Sequence, residues 1–231
     1  MKTDAREIAD AAELHELIDV ARVLAAQPTI RRMARAAGGA WALRALMGPP
    51  GPRDVLAAGA ALAWWPLQEW LAHKYLLHLE PFELAGRRID PFFAQKHRAH
   101  HEDPDLVEGI LLPREVIDRA IPAAATAWLA LFGPTRAAVT GFAAYSTMAI
   151  VYEWTHLLVH TSVKPKGAFY ARVRRNHRLH HYRNEHYWLA FTVPWVDSWL
   201  GTDPPPASVP RSPTAHAVSA PRATGQPASS P

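Results

Sequence analysis

The chain has 231 residues, 49% of them apolar, with nine Trp, thirteen His and no Cys. That is material for one domain with extensions, and it excludes disulfides and thiolate metal sites, leaving nitrogen and oxygen as the only ligands. The net charge of +4 comes from basic residues that flank apolar runs, a membrane-protein pattern, so no nucleic-acid partner is expected.

The N-terminus, Met1 to Glu7, has no apolar stretch of the signal-peptide kind. Residues 5–27 predict an amphipathic helix: Ile8, Ala11, Leu17, Ile18, Ala21 and Leu24 recur at helical spacing, with Glu7, Asp10, Glu13 and Glu16 on the polar side. A short segment over 41–47 ends at Gly48-Pro49-Pro50-Gly51-Pro52, which cannot continue a helix. Residues 1–52 therefore read as an N-terminal helical extension.

From Val55 to Ala72 the chain is apolar except for Gln68 and Glu69, and it runs into His73-Lys-Tyr-Leu-Leu-His78. Proline kinks helices, so Trp64-Trp65-Pro66 marks the expected break in a bent, membrane-embedded first segment that does not cross. Residues 113–132 and 137–159, joined by Gly133-Pro134-Thr135-Arg136, predict a helical hairpin. Each arm has about 20 residues or more, the length that crosses ~30 Å of hydrocarbon. The hairpin is expected to be integral to a membrane, a buried soluble hairpin being the alternative. Basic residues crowd 22–53, 87–114 and 164–183, which places these regions in the cytoplasm and the 133–136 turn outside. Residues 53–202 form the main domain, all-α with a histidine-rich cytosolic cap. Residues 203–231 are rich in Pro, Ser and Ala and predict a disordered tail.

Eleven histidines lie between His73 and His186, ten of them in four groups. These are His73/His78, His97/His100/His101, His156/His160 and His177/His180/His181. On a helix, residues three or four apart share a face, so His97 with His100, His156 with His160 and His177 with His180 can converge. Neighbours in sequence point about 100° apart, so His100 with His101, and His180 with His181, suit two different metals. His73 and His78, five apart, do not stack on one face and can bracket a two-metal site. A lone His-x-x-x-His is more often a capping pair than a ligand pair. Ten imidazoles gathered without a metal, however, would cost heavily in desolvation and repulsion.

All-imidazole ligation suits Zn, Cu, Fe or Ni rather than Mg or Ca. A structural zinc site closes at four ligands, whereas ten histidines over two ions leave a position open on each octahedral metal. Carboxylates behind the ligands are expected. Glu69 and Glu153 are the leading candidates because each interrupts a largely apolar helix; Glu102, Asp103 and Glu185 adjoin the other groups. His186 follows His181 by five residues but lies in a polar run beside Glu185, so it is expected outside the ligand set, hydrogen-bonded to a ligand or near the substrate mouth.

The four groups, in this order and spacing, resemble the histidine boxes of the fatty acid hydroxylase/sterol desaturase superfamily of integral-membrane di-iron proteins. The resemblance runs from Glu69 to Thr202, and Tyr182 to Trp188 with Asp197 to Thr202 look like bacterial members. It implies two iron ions (with zinc a possible occupant in preparations), O2 as co-substrate, and hydroxylation or desaturation of an unactivated C–H bond. It also implies a bacterial inner-membrane location with the metals on the cytoplasmic side. No His-Pro-Gly-Gly motif of a fused cytochrome b5 is present, so a separate ferredoxin or cytochrome is the expected electron donor. A fatty acyl chain is the expected substrate, with Trp70, Tyr75, Trp154, Tyr182, Tyr187 and Trp188 as candidates to line its path. The alternatives are a carotenoid ring hydroxylase, which the Glu69–His78 segment also resembles, and a metal-binding membrane protein without catalysis.

Overall fold

A computed structural model of the chain describes residues 10–215. Its helices are α1 (Leu17–Ala26), α2 (Pro28–Leu46), α3 (Pro52–Ala72), α4 (Phe92–Glu102), α5 (Val107–Ile110), α6 (Arg114–Phe132), α7 (Arg136–His160), α8 (Ala168–Tyr182) and α9 (Trp195–Trp199). A two-stranded hairpin, β1 (Phe82–Leu84) and β2 (Arg87–Ile89), links α3 to α4. It is the one departure from the expected all-α composition. Ala85 and Gly86, both at positive φ, make its tight turn.

Helix α7 is the axis on which α2, α3 and α6 pack. Its first half buries a face of small residues, including Ala137, Gly141, Ala143, Ala144 and Ser146, which lets the neighbouring helices approach closely. At Gly141 the approach is closest: a Cβ there would lie 2.2 Å from Cε3 of Trp128 on α6. Its second half buries Glu153, His156 and His160. Val20, Val23, Ile30, Met33, Ile110, Ile117 and Leu157 form the main apolar core beside that half.

Several expectations need correction. The segment expected over 41–47 is the last part of α2, which begins at Pro28; burial of Ile30, Met33, Ala37 and Ala40 overrides the helix-weakening Gly38-Gly39 pair. Pro66 lies inside an uninterrupted α3. The helix carries through because Trp65 before the proline and Glu69 and Trp70 after it are buried. The proline therefore does not interrupt the segment, and α2 and α3 both pack on α7.

The α2–α3 and α6–α7 connections meet at the end of the bundle away from His73 and His160. There Arg136 Nη1 donates to the Pro49 carbonyl at 3.2 Å. Arg44 Nε donates to Asp54 Oδ1 at 2.8 Å, and both side chains are buried. Thr140 Oγ1 donates to the same carboxylate at 2.8 Å, so that one carboxylate ties three helices together.

The α6–α7 hairpin forms as expected, but among the described residues no helix is both long and apolar enough to cross a membrane. Alanine dominates both arms, and Arg114, Glu115, Asp118 and Arg119 open the first. Residues 1–9, where the expected N-terminal helix began, lie outside the described residues, as do residues 216–231 of the expected tail. Within the described part of the tail, Ser212 N donates to the Arg183 carbonyl at 2.8 Å and Arg183 Nε to the Val209 carbonyl at 2.9 Å.

Candidate metal centre

All ten box histidines meet at one end of the bundle, in two groups of five. His73, His78, His97, His101 and His180 form one; His100, His156, His160, His177 and His181 form the other. Within each group the potential ligand atoms lie within 4.8 Å of one another.

The division follows from helix geometry. On α4, His97 and His101 are one turn apart and enter the first group, while His100 faces the second. On α8, His177 and His181 enter the second while His180 turns to the first. Neighbouring histidines do serve different groups, as the sequence predicts, but the partners sharing a group are spaced i, i+4 rather than i, i+3. His73 and His78 depart further from expectation, since both belong to the first group. Residues His73–Leu77 form a π-helical turn in which His78 N donates to the His73 carbonyl at 3.3 Å. In that geometry, residues five apart lie on one side.

The nitrogens are arranged as an ion would require. In the first group the Nε2 atoms of His73 and His97, His97 and His101, His101 and His180, and His180 and His78 are each 3.2 Å apart, and those of His97 and His78 are 3.1 Å apart. In the second group, His177 Nε2 is 2.9 Å from that of His160 and 3.0 Å from that of His181. Ligands at ~2.1 Å from a metal and at right angles are about 3.0 Å apart, against about 3.4 Å for a tetrahedron. The 2.9–3.0 Å separations of the second group match adjacent corners of an octahedron, and the 3.1–3.2 Å separations of the first lie between the two geometries. His97 and His180, whose rings are 6.5 Å apart while the neighbouring pairs are 4.5–5.1 Å apart, stand on opposite sides of the first group.

Protonation fits as well. His73 Nδ1 is 2.6 Å from the Leu189 carbonyl and His180 Nδ1 is 2.9 Å from the Tyr187 carbonyl. A carbonyl only accepts, so each Nδ1 carries the proton and each Nε2 presents a lone pair to its neighbours. Lone pairs facing one another at 3.2 Å repel unless a cation lies between them. Burial, then the surrounding imidazoles, hold His97, His100, His177, His180 and His181 far below the ordinary histidine range, and burial lowers His73 to about 4. All are neutral at neutral pH, the state in which imidazole binds metal. In the second group both ring nitrogens of His100 and the Nδ1 atoms of His177 and His181 are buried without a hydrogen-bond partner.

The two favoured carboxylates are buried, but no described hydrogen bond joins either to a histidine ring. Glu69 Oε1 accepts from Phe191 N at 2.7 Å and Thr192 N at 3.0 Å, and its Oε2 accepts from Thr192 Oγ1. Phe191 in turn stacks on His156, ring centroids 5.0 Å apart. Glu153 lies 3.3 Å from Leu112 N. Glu185 binds Ser212 and Thr214. His186 is exposed, with Nε2 3.9 Å from Glu185. Three features escaped the sequence reading: the carbonyls of Tyr187 and Leu189, Asp105 at 3.8 Å from His160 Nδ1, and the fully buried Asp197. A backbone carbonyl leaves no mark in a sequence. The only sign of Asp197 was its place in the closing segment of the resemblance.

An apolar cavity of about 280 Å³ is bounded by Met33, Glu69, Leu76, Ala120, Tyr145 and Tyr152, with no histidine in its wall. Its aromatic walls are Trp65, Phe93, Phe142, Tyr145 and Tyr152, not the six aromatics expected from the sequence. Tyr152 joins cavity to metal centre, its ring 5.9 Å from His156.

Comparison with known proteins agrees with this geometry. A family model described as fatty acid hydroxylase matches residues 58–202. The rat (Rattus norvegicus) fatty acid 2-hydroxylase is 27% identical over 118 residues, 51% of this chain and 31% of that protein, so the chain spans about a third of that relative's length. A solved structure of full-length scs7p, with only its hydroxylase domain visible, superposes with a TM-score of 0.62 at 19% identity, covering 86% of this chain and 70% of that one. At that identity the likeness is one of fold.

Proposed function

The chain belongs to the fatty acid hydroxylase family, and from that premise we propose that it is a di-iron oxygenase that hydroxylates a C–H bond of a fatty acyl chain. The observation that carries this reading is the pair of histidine groups set beside an apolar cavity. Each group offers five imidazoles, which suits iron with one coordination position open. Iron bound there would supply the O2-dependent oxidation. The balance is one oxygen atom into the C–H bond and the other released as water, with two electrons from a separate donor, a ferredoxin or cytochrome, and two protons from solvent.

The chain's own residues bind and orient. Ala120, Leu76 and their neighbours exclude water and hold the acyl chain; Tyr152 and Phe191 form the wall between chain and ligands. Leu46, Val55, Leu56 and Leu131 are well over half exposed and lie at the bundle end away from the histidines. Large apolar residues exposed together at one end suit an interaction site. We assign it to the lipid of a bacterial inner membrane, with the metal centre on the cytoplasmic side.

The test is expression in a bacterial host under 18O2, followed by mass spectrometry of the lipids, with His100→Ala as control. The reading expects fatty acyl chains carrying one labelled oxygen with the wild type only. Labelled carotenoids without labelled fatty acids, acyl chains that lose two hydrogens instead, or no change in lipids would overturn it.

A further inference from the structure

The two histidine groups are not supported alike. Residues Tyr187–Thr192 form a strap across the first group, and its carbonyls at Tyr187 and Leu189 orient His180 and His73. No described hydrogen bond runs from the strap to a ring of the second group, whose five histidines are all buried. There Phe191 contributes only ring contacts, to His156 and His177. In the first group His78 and His101 are half-buried, so an ion there lies nearer to water.

The strap is itself held from behind. Asp197, fully buried, accepts from Leu189 N with Oδ1 and from Ala190 N with Oδ2, both at 2.9 Å. Thr202 Oγ1 donates to Asp197 Oδ1 at 2.6 Å and accepts from Trp70 Nε1 at 2.9 Å. Between the two orienting carbonyls sits Trp188, at φ 55° and fully buried. A bulky residue holds such a backbone only when its surroundings impose it. Its N–H donates to the Thr202 carbonyl at 2.8 Å, so Asp197 and Thr202 together fix the turn that aims both carbonyls.

We propose that Asp197 is a positioning residue that sets, through the strap, the metal affinity of the first histidine group alone, making its ion the exchangeable one of the two. The proposal rests on the two-metal reading above. Partners behind ligating histidines alter affinity by about 10–100-fold when removed. In Asp197→Asn the amide nitrogen would face a backbone N–H, so one strap contact becomes donor against donor. The Leu189 and Tyr187 carbonyls would then shift relative to His73 and His180, while the second group, held by packing, would not feel the change.

The experiment is chelator competition on the full-length protein with metal counted per chain. The wild type is expected to release one ion well before the other. Asp197→Asn is expected to weaken only the first-released ion, by about 10–100-fold. Thr202→Val, which removes one of the three bonds to Asp197, should weaken the same ion by less, and Thr202→Ser, which keeps the hydroxyl, should restore it. This series keeps the test decisive if Asp197→Asn does not fold.

Assignment comes from combination. In a His181→Ala background the remaining ion should respond to Asp197→Asn, whereas in a His101→Ala background it should not. Equal weakening of both ions, or unchanged binding in both Asp197→Asn and Thr202→Val, overturns the proposal. A wild type that holds fewer than two ions overturns the two-metal reading instead.

Discussion

The amide of His78 donates to the carbonyl of His73 across a π turn, at 3.3 Å, and this one bond brings two histidines five residues apart into the same group. The groupings make definite predictions about metal content. His97→Ala and His101→Ala each remove a ligand of the same ion, so the double variant should still hold one ion per chain. His97→Ala with His100→Ala strikes both groups and should hold none. His186, exposed and beside Glu185, can become Asn with both ions retained. Metal analysis after gel filtration checks the set; loss of both ions from the His97/His101 double variant would contradict the grouping.

Stability should fall steeply on mild acidification once the metal is removed. Burial first, then neighbouring imidazoles, lower the pKa values of His97, His100, His177, His180 and His181. The folded state therefore keeps them neutral while the unfolded chain takes up protons near pH 6.5. Stability is then complete above about 6.5 and is lost as pH falls below it, by about 1.4 kcal/mol per pH unit for each such histidine. The metal-free protein should unfold cooperatively within about a pH unit or so below 6.5. Chemical denaturation at a series of pH values measures it, and a flat profile from pH 7 to 5 would count against the buried cluster.

The contact between α6 and α7 gives a prediction away from the metals. A Cβ on residue 141 would stand 2.2 Å from the ring of Trp128, which is itself buried. Gly141→Ala should therefore destabilise the fold by about 1–3 kcal/mol, which lowers Tm by roughly 2–4 °C per kcal/mol in a chain of this size. Trp128→Leu in the same background should recover part of the loss. An unchanged Tm for Gly141→Ala would mean that the helices do not meet there.

The cavity sets a prediction about substrate length. Ala120 and Ala149 line it from α6 and α7, and Phe at either position fills space rather than displacing packed neighbours. Ala120→Phe and Ala149→Phe should keep both ions yet lose oxidation of long acyl chains more than of short ones. Product profiles over a series of chain lengths read this out. An unchanged profile would place the substrate elsewhere.

The clustering of the ten histidines was legible because imidazoles leave a visible spacing, and so was the splitting of His100 from His101 and His180 from His181, because 100° per residue requires it. It misassigned partners within the boxes because i, i+3 and i, i+4 share a face about equally well, and only packing decides between them. The π turn at His73 and the unbroken passage of α3 through Pro66 are tertiary outcomes: each is imposed by buried neighbours rather than by local preference. Glu69 and Glu153 were recognisable as buried carboxylates but not by their partners, since Phe191 and Thr192 lie more than 120 positions from Glu69.

X-ray absorption on the iron-loaded protein, with iron counted per chain, reads out both the number of ions and their ligands. Two irons per chain are expected, each with about five imidazole nitrogens at roughly 2.0–2.2 Å. A single ion bound by four histidines, or ions held largely by carboxylate oxygen, would contradict the di-iron reading.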